Sequence, residues 1–477
     1  MDSISAEVVV IGAGSAGLSA YRAARSHGKR VLLIEGGPYG TTCARVGCMP
    51  SKLLIAAAEA AHSMAMAPAF GVHAGAIRID GRAVMARVRA ERDRFVGFVL
   101  DGVEQIAAAD LVRGHVRFLD AHRLQIDDHI IVHAERIVIA TGSSAQVPAM
   151  LQGLGDRLVT NDDVFEWDDL PASVAVIGTG VIGLELGQAL HRLGVRVTIY
   201  GRGTQLAGIH DPAVLASARA AFDNELDLRL NATMVRAIRH EDGVALTVAG
   251  ADGIESTEQF NLVLAATGRT PNLARLDLGM SGLALDAQGI PVFDRHTMQC
   301  GDSTIFIAGD ADSERPLLHE AADQGRIAGD NAGRYPDVQP GLRRALLAIA
   351  FTEPQIAVVG PGFHALESRR TASGEVSFVD QGRSRVMLQN QGLLRVYGEY
   401  GSDRFLGAEM CGPRAEHLSH LMAWALQAEM TVSQMLQMPF YHPVVEEGLR
   451  TALRELQEKL KHGLPEIERC SDCTPGM

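Results

Sequence analysis

Positive charge is in deficit along this chain: 44 lysines and arginines stand against 57 aspartates and glutamates, a formal net charge of −13 with a pI near 5.7. That balance argues against nucleic acid as the main partner, and plain solubility accounts for it. Long apolar runs are scarce as well, and none approaches the roughly eighteen residues of a membrane span. The start, Met1-Asp2-Ser3-Ile4-Ser5-Ala6-Glu7, carries acids where a signal peptide has a basic segment. The expectation is a cytoplasmic protein with no membrane partner. Cysteine is sparse too. Six in 477 residues are too few for a disulfide scaffold. In a reducing compartment, a closely spaced pair points instead to catalysis or metal binding.

What is present is ordinary in bulk, 47% apolar and 21% charged residues, as in soluble globular proteins. The length predicts two to four domains. Fifty glycines suit a fold with several tight strand-to-helix turns.

The chain is organised around Gly40-Thr41-Thr42-Cys43-Ala44-Arg45-Val46-Gly47-Cys48-Met49-Pro50-Ser51-Lys52. Five residues of regular helix rise roughly 7.5 Å, beyond the roughly 7 Å between Cα atoms that a disulfide bridges. A Cys43–Cys48 bond therefore needs a bent segment, and Gly47 is the residue that tolerates one. The plainer reading is two unrelated buried thiols; the flanking sequence argues for redox chemistry.

Val8-Val9-Val10-Ile11 reads as a buried parallel strand that ends in Gly12-Ala13-Gly14-Ser15-Ala16-Gly17 and a helix to about His27. A second strand, Val31–Ile34, ends at Glu35, 23 residues past Gly12, where a ribose-binding carboxylate belongs. Gly12, Gly14 and Gly17 let a pyrophosphate approach the backbone and the helix N-terminus. Residues 53–67 read as a helix, and 136–142 as a strand ending in Ala140-Thr141-Gly142. The pattern repeats downstream: strand Ser173–Ile177, then Gly178-Thr179-Gly180-Val181-Ile182-Gly183, closing at Ala266-Thr267-Gly268-Arg269. Two dinucleotide sites flanking a thiol pair describe an electron relay.

The Gly12 turn, Glu35, Cys43-x4-Cys48-Met-Pro-Ser-Lys52 and Ala140-Thr141-Gly142 resemble the class I pyridine nucleotide–disulfide oxidoreductases. That family includes dihydrolipoamide dehydrogenase, glutathione reductase and mercuric reductase. The resemblance implies an α/β fold with two Rossmann-like domains, for FAD and NAD(P), and a C-terminal α+β dimerisation domain. The corresponding ranges are 1–150, 151–275, 276–348 returning to the FAD domain, and 349–477. It implies FAD in the first site, lined by Gly12, Gly14, Gly17, Glu35, Gly36, Thr42, Lys52, Val116, Thr141, Gly142, Asp310 and Leu318. In the second it implies NAD(H) or NADP(H), held by Gly178, Gly180, Gly183, Glu185, Arg202, Val235 and Gly268, with Glu185 pairing with Lys52. No resident metal is implied. Ala44-Arg45 departs from the residues usual between the cysteines.

Counting 23 residues from Gly178 reaches Gly201, so the acid that favours NAD is missing, and Arg202 follows, read either as a ligand for a 2′-phosphate or as a solvated surface residue. Gly183 fits many NAD sites, and no second arginine follows closely. The preference stays open, with the residues leaning to NADP(H) and the family to NAD.

Strand Thr304–Ile307 ends in Gly309-Asp310, whose aspartate the resemblance assigns to the flavin ribityl chain. His319 reads as a helix-start residue. Strands near 356–359, 393–397 and 405–410 precede helices from about 414. His442-Pro443-Val444-Val445-Glu446-Glu447 resembles the family's His-Pro-Thr-x-x-Glu: His442 as acid/base, Glu447 rather than Glu446 as its orienter, Pro443 at the first helical position. By the same pattern Cys43 is the interchange sulfur, Cys48 faces the flavin, and the dyad serves the other subunit's disulfide, so the active unit is a homodimer. Cys300 and Cys411 read as structural. Cys470-Ser471-Asp472-Cys473 reads as an incidental tail, with a redox or regulatory role as the alternative.

Pro50-Ser51-Lys52 matches the dihydrolipoamide dehydrogenase form of the motif. The expected activity is therefore oxidation of free or protein-borne dihydrolipoyl groups by NAD(P). Glutathione reductase and mercuric reductase are the rivals within the family. A soluble transhydrogenase is disfavoured by the presence of Cys48. A redox-sensing flavoprotein without turnover is disfavoured by the intact Cys43, Cys48, His442 and Glu447.

Overall fold

A computed structural model describes residues 2–73, 75–366 and 370–462. The chain forms two compact units, one of residues 1–203 with 229–344, the other of 204–228 with 345–477.

The first unit is built on a seven-stranded sheet. Its parallel centre is Val31–Glu35, Asp2–Ile11 and Ile130–Ile139, with Ile305–Ile307 also on Ile130–Ile139. Val8, Val10, Leu33 and Val138 pack on one face and Val9, Ile11, Ile34 and Ile139 on the other, the period-2 burial of a sheet covered on both sides. The register matters most for function. Ile11 lies opposite Ile34 and Ile139, and Ile139 opposite Ile307. Gly12, Glu35, Ala140 and Ala308 therefore leave the sheet at one edge, the carboxyl ends where such folds bind ligands.

Helices Ser15–Ser26 and Leu318–Arg334 cross backbone to backbone on one face. A Cβ on Gly325 would fall 2.1 Å from the Ala16 carbonyl oxygen, and one on Gly329 2.2 Å from that of Ala20. Glycine is required at both crossings.

A second sheet repeats the register. Strand Ser173–Ile177 sits between Arg196–Tyr200 and Leu262–Ala265, with Ile177 opposite both Tyr200 and Ala265. The antiparallel strands Thr233–Arg239, Val244–Ala249 and Glu255–Phe260 follow.

The second unit carries a five-stranded antiparallel sheet ordered Leu347–Ala350, Gln355–Val359, Phe405–Gly412, Leu393–Glu399, Thr371–Ser377. Helices Ala415–Gln427 and Glu447–His462 contribute Leu418, Met422, Leu449 and Leu453 to its core.

Three expectations are corrected. The helix expected over 53–67 runs Cys48–Met66, because Pro50 falls in its first turn, where its missing N–H costs nothing. By length and composition alone, Thr42–Phe70 contains one window of eighteen residues apolar enough to cross a membrane, with a mean hydropathy of 1.3. Its scattered charges hid it from a search for uninterrupted runs. The C-terminal helix starts at Glu447 rather than at Pro443: Val444 and Val445, both β-branched, are poor helix starters, and the Val444 N–H is taken by the Glu447 side chain.

Candidate active site

The two cysteines sit at the junction of two helices. Thr42–Val46 forms a short helix and Cys48–Met66 a long one, with Gly47 between them at φ −127° and ψ −116°. A Cβ on Gly47 would meet the Thr42 carbonyl oxygen at 3.1 Å and Cys43 Cα at 3.3 Å, so the bend folds the second helix start back onto the first. Both thiols are free, and Cys43 donates a hydrogen bond to Cys48. That bond is the chief reason the Cys48 thiol is pushed down to about 7; burial opposes it and the Lys52 charge assists. The same bond, with burial, pushes the Cys43 thiol up. Of the reduced pair, Cys48 is thus the thiol that ionises first.

Lys52 lies one turn along the helix from Cys48, on the same face. Its Nζ donates to both carboxylate oxygens of Glu185, at 2.9 and 2.7 Å. Glu185 is buried on helix Val181–Arg192, so this cation compensates a carboxylate withdrawn from water.

The first glycine turn is a cradle. A Cβ on Gly12 (φ +105°) would stand 2.3 Å from the Ala140 carbonyl oxygen, and one on Gly17 1.8 Å from that of Gly12. Gly14 faces open space and caps helix Ser15–Ser26 without a side-chain bond, leaving the helix N–H groups for an anion. Glu35 accepts from the N–H groups of Ala13 (2.7 Å) and Gly37 (2.6 Å). Gly36 packs against the His115 ring, Val116 is buried, and Gly142 has φ +68°. The hydroxyl of Thr141 is buried with no partner among the described residues. Thr42 and Leu318 are exposed, each opening its helix. An open cradle, an orphaned buried hydroxyl and a ribose-type carboxylate fit a dinucleotide such as FAD.

Asp310 follows the same sheet edge. Its Oδ2 accepts the Ser143 hydroxyl at 2.6 Å, and Arg269 Nε donates to that hydroxyl at 2.8 Å. Ser143 and Arg269 were not among the expected site residues. The arginine trailing the second Ala-Thr-Gly was the available signal, and the antiparallel pairing of Ser143–Ala145 with Arg269–Pro271 brings it across. Asp312 is 5% exposed, and its Oδ2 has no partner among the described residues. Burial pushes its carboxyl up to about 7, against the Glu314 N–H bond that favours the ionised form. His319 is the second residue of helix Leu318–Arg334, its Nε2 buried without a partner among the described residues.

In the second glycine turn, a Cβ on Gly178 (φ +122°) would stand 2.2 Å from the Ala266 carbonyl oxygen, and one on Gly183 2.1 Å from that of Gly178. Gly180 caps helix Val181–Arg192 with no side-chain bond. Val235 stands where the register of its strand shifts, 39% exposed. Gly268 has φ +120°.

In the other unit, His442 is 81% exposed at its side chain and Glu447 is 19% exposed. Glu447 Oε2 lies 3.0 Å from His442 Nδ1, while Oε1 accepts from Arg450 at 2.9 Å. Burial works against ionisation, yet the Val444 N–H, His442 and Arg450 together hold the Glu447 carboxyl below its usual range. The imidazole is oriented through Nδ1, leaving Nε2 toward solvent. Glu446 does not take part in this arrangement. Cys300 and Cys411 are buried, their thiols pushed up by burial. Cys470 and Cys473 lie outside the described residues.

Residues 6–325 match the family model described as pyridine nucleotide–disulphide oxidoreductase, and residues 347–453 match the dimerisation domain of that family. A mercuric reductase of Acidithiobacillus ferrooxidans is 31% identical over 96% of this chain and 84% of its own. Another, of Shigella flexneri, is 33% identical over 95% and 81%. A dihydrolipoyl dehydrogenase of Haloferax volcanii is 30% identical over 96% and 98%. Among solved structures, LpdA of Mycobacterium tuberculosis has a TM-score of 0.80 at 25% identity, over 96% of this chain and 100% of that one. The HOCl-induced flavoprotein disulfide reductase RclA of Escherichia coli has a TM-score of 0.77 at 22%, covering 94% and 99%, a likeness of fold alone.

Proposed function

Because the chain belongs to the FAD-dependent pyridine nucleotide–disulphide oxidoreductases, we propose that it is a dihydrolipoamide dehydrogenase, oxidising dihydrolipoyl groups through Cys43 and Cys48 with NAD(P) as acceptor. On this reading residues 1–150 and 276–348 hold FAD, residues 151–275 hold the nicotinamide cofactor, and a homodimer shares each active site between subunits. Bound FAD supplies the two-electron chemistry that links a dithiol to a nicotinamide.

The observation that carries the reading is the His442–Glu447 pair. A dithiol becomes nucleophilic only on losing a proton, and His442 Nε2 is presented to take one, with Glu447 stabilising the imidazolium. The dyad of one subunit serves the disulfide of the other. The substrate thiolate attacks Cys43 Sγ, a mixed disulfide forms, and the Cys43–Cys48 bond breaks with Cys48 leaving as a thiolate. The second substrate sulfur then displaces Cys43, which leaves with a proton, and the product is a cyclic disulfide. The lowered pKa of Cys48 favours the first step, since a more acidic thiol leaves faster. Lys52, neutralised by Glu185, steadies negative charge beside Cys48.

A second reading is reduction of mercuric ion, favoured by the relatives of that name and by the affinity of soft metals for thiolate pairs. Such a substrate brings no thiol proton to the site and gives His442 no task. Initial rates of dihydrolipoamide oxidation, with NAD and NADP at matched concentrations, test the proposal. They are set against mercuric ion-dependent NADPH oxidation. Fast dithiol turnover supports the dehydrogenase; turnover with mercuric ion alone refutes it.

A further inference from the structure

Between the two cysteines, the backbone of Val46 needs a partner from elsewhere. Val46 ends the short helix Thr42–Val46, and the last carbonyls of a helix have no donor of their own. Were the helix to run on, the donor would be the N–H of residue 50, and Pro50 has none. The carbonyls on either side are provided for locally: Thr41 accepts from the Arg45 N–H at 3.2 Å and Gly47 from the Ser51 N–H at 3.1 Å. Val46 is buried, so its carbonyl would be an acceptor withheld from water.

The missing donor lies 115 residues along the chain. Asn161 Nδ2 donates to the Val46 carbonyl at 2.8 Å. The same atom donates to Asp162 Oδ1 at 2.8 Å, and two acceptors facing one atom require the amide nitrogen there. Asn161 is 5% exposed and opens helix Asn161–Val164. A capping box closes that helix start: the Asp162 N–H donates to Thr160 Oγ1 (3.3 Å), and Asp163 Oδ2 accepts from the Thr160 N–H (2.8 Å). Thr160 follows strand Leu158–Val159, which pairs in register with Val263 and Leu264. The amide is thus fixed to the second sheet.

What it fixes in turn is the path from Cys43 to Cys48. Cys43 Sγ accepts from the N–H groups of Cys48 and Met49, so the sulfur is seated on the first turn of helix Cys48–Met66. The Val46–Gly47 peptide is a rigid plane, and its orientation delivers that turn to the sulfur. We propose that Asn161 is a positioning residue for the redox pair, holding the Val46–Gly47 peptide and thereby setting the equilibrium between the Cys43–Cys48 disulfide and the dithiol. The inference rests on the Cys43–Cys48 relay and is independent of the sulfur substrate and of the nicotinamide acceptor.

The two redox forms differ in how much they need the anchor. A closed disulfide has a narrow geometry and keeps the peptide in place, so without Asn161 the carbonyl stays buried and unpartnered. The dithiol can turn the peptide toward another donor. Closing the bond gives up two electrons and the thiol protons, which a reference disulfide takes up. The test equilibrates the FAD-loaded wild type, Asn161→Ala and Asn161→Asp, which keeps the volume but has no donor when ionised, in graded dithiothreitol redox buffers at about pH 8. The alkylated fraction of the Cys43–Cys48 peptide is read by mass spectrometry. Both variants should move the equilibrium about tenfold toward the dithiol, about 30 mV for this two-electron couple. In reduced Asn161→Ala the Cys48 alkylation midpoint should also rise from about 7 toward the ordinary value of about 8.5. An equilibrium within a factor of about two of the wild type, whatever the change in Tm, would make the bond a structural contact and overturn the proposal, and a midpoint still near 7 would do the same. Wild-type cysteines that form no bond in any of these buffers would overturn it together with the relay.

Discussion

Replacing Cys43 by alanine removes the hydrogen bond that chiefly lowers Cys48, while leaving the Lys52 charge and the partial burial in place. Burial acts upward and outweighs Lys52, so the Cys48 thiol returns to about 8.5, the ordinary value. At pH 7 the wild-type thiolate is about half populated; at 8.5 the fraction falls to about 3%. The rate does not fall by that whole ratio, because a more basic thiolate is intrinsically more nucleophilic. With a Brønsted slope of about 0.45, a rise of about 1.5 units makes each thiolate roughly fivefold faster. Alkylation of Cys48 by iodoacetamide at pH 7 should therefore slow about threefold in Cys43→Ala, while above about pH 9.5 the variant should be roughly fivefold faster than the wild type. The two curves cross. The assay is peptide mass spectrometry of the dithiol-reduced, desalted holoenzyme across pH 5–10, which separates Cys48 from the tail cysteines. A variant midpoint still near 7, or a wild-type midpoint near 8.5, would refute the assignment of the charge to Cys48.

Three further outcomes follow from the same geometry. His442→Gln should lower dihydrolipoamide turnover by about 10²–10⁴-fold without altering thermal unfolding, as initial rates and calorimetry would show; activity within a factor of three would remove the acid/base role. Lys52→Met removes the cation that compensates the buried Glu185 carboxylate and should cost about 3 kcal/mol, seen as a lowered Tm. The double variant with Glu185→Leu should recover most of it. Asp312 binds its proton more tightly folded (about 7) than unfolded (about 3.9), so its contribution to stability declines as pH rises between these values and stays unfavourable above. Asp312→Asn should therefore stabilise the protein by up to about 4 kcal/mol at pH 8, with the gain fading by pH 4. A pH-independent difference in urea unfolding would contradict this.

The parts legible in the sequence were those written in local spacing. Strand, glycine turn and helix recur at fixed offsets, so Gly12, Glu35 and Gly178 could be placed by counting, as could the bend at Gly47. What escaped was set by tertiary neighbours. Ser143 and Arg269 lie 126 residues apart and meet only because two short strands pair; Arg269 trails a recognisable Ala-Thr-Gly, but nothing local shows its partner. The unpaired oxygen of Asp312 depends on burial, which composition does not encode. At Pro443 a sound helix-start rule met two following valines and a competing glutamate side chain, and the helix began later.

The junction at Gly47 has a consequence for electron transfer. Cys43 and Cys48 are held by the ends of two helices, one anchored through the Thr41 cap on the Ala44 N–H and the other through the Lys52–Glu185 pair, and not by a bond of their own. The two thiols already interact while still reduced. Closing and opening the bond therefore asks for little nuclear reorganisation, and the pair can cycle as a charge store whose scaffold stays still, unlike a structural crosslink whose loss loosens the chain around it.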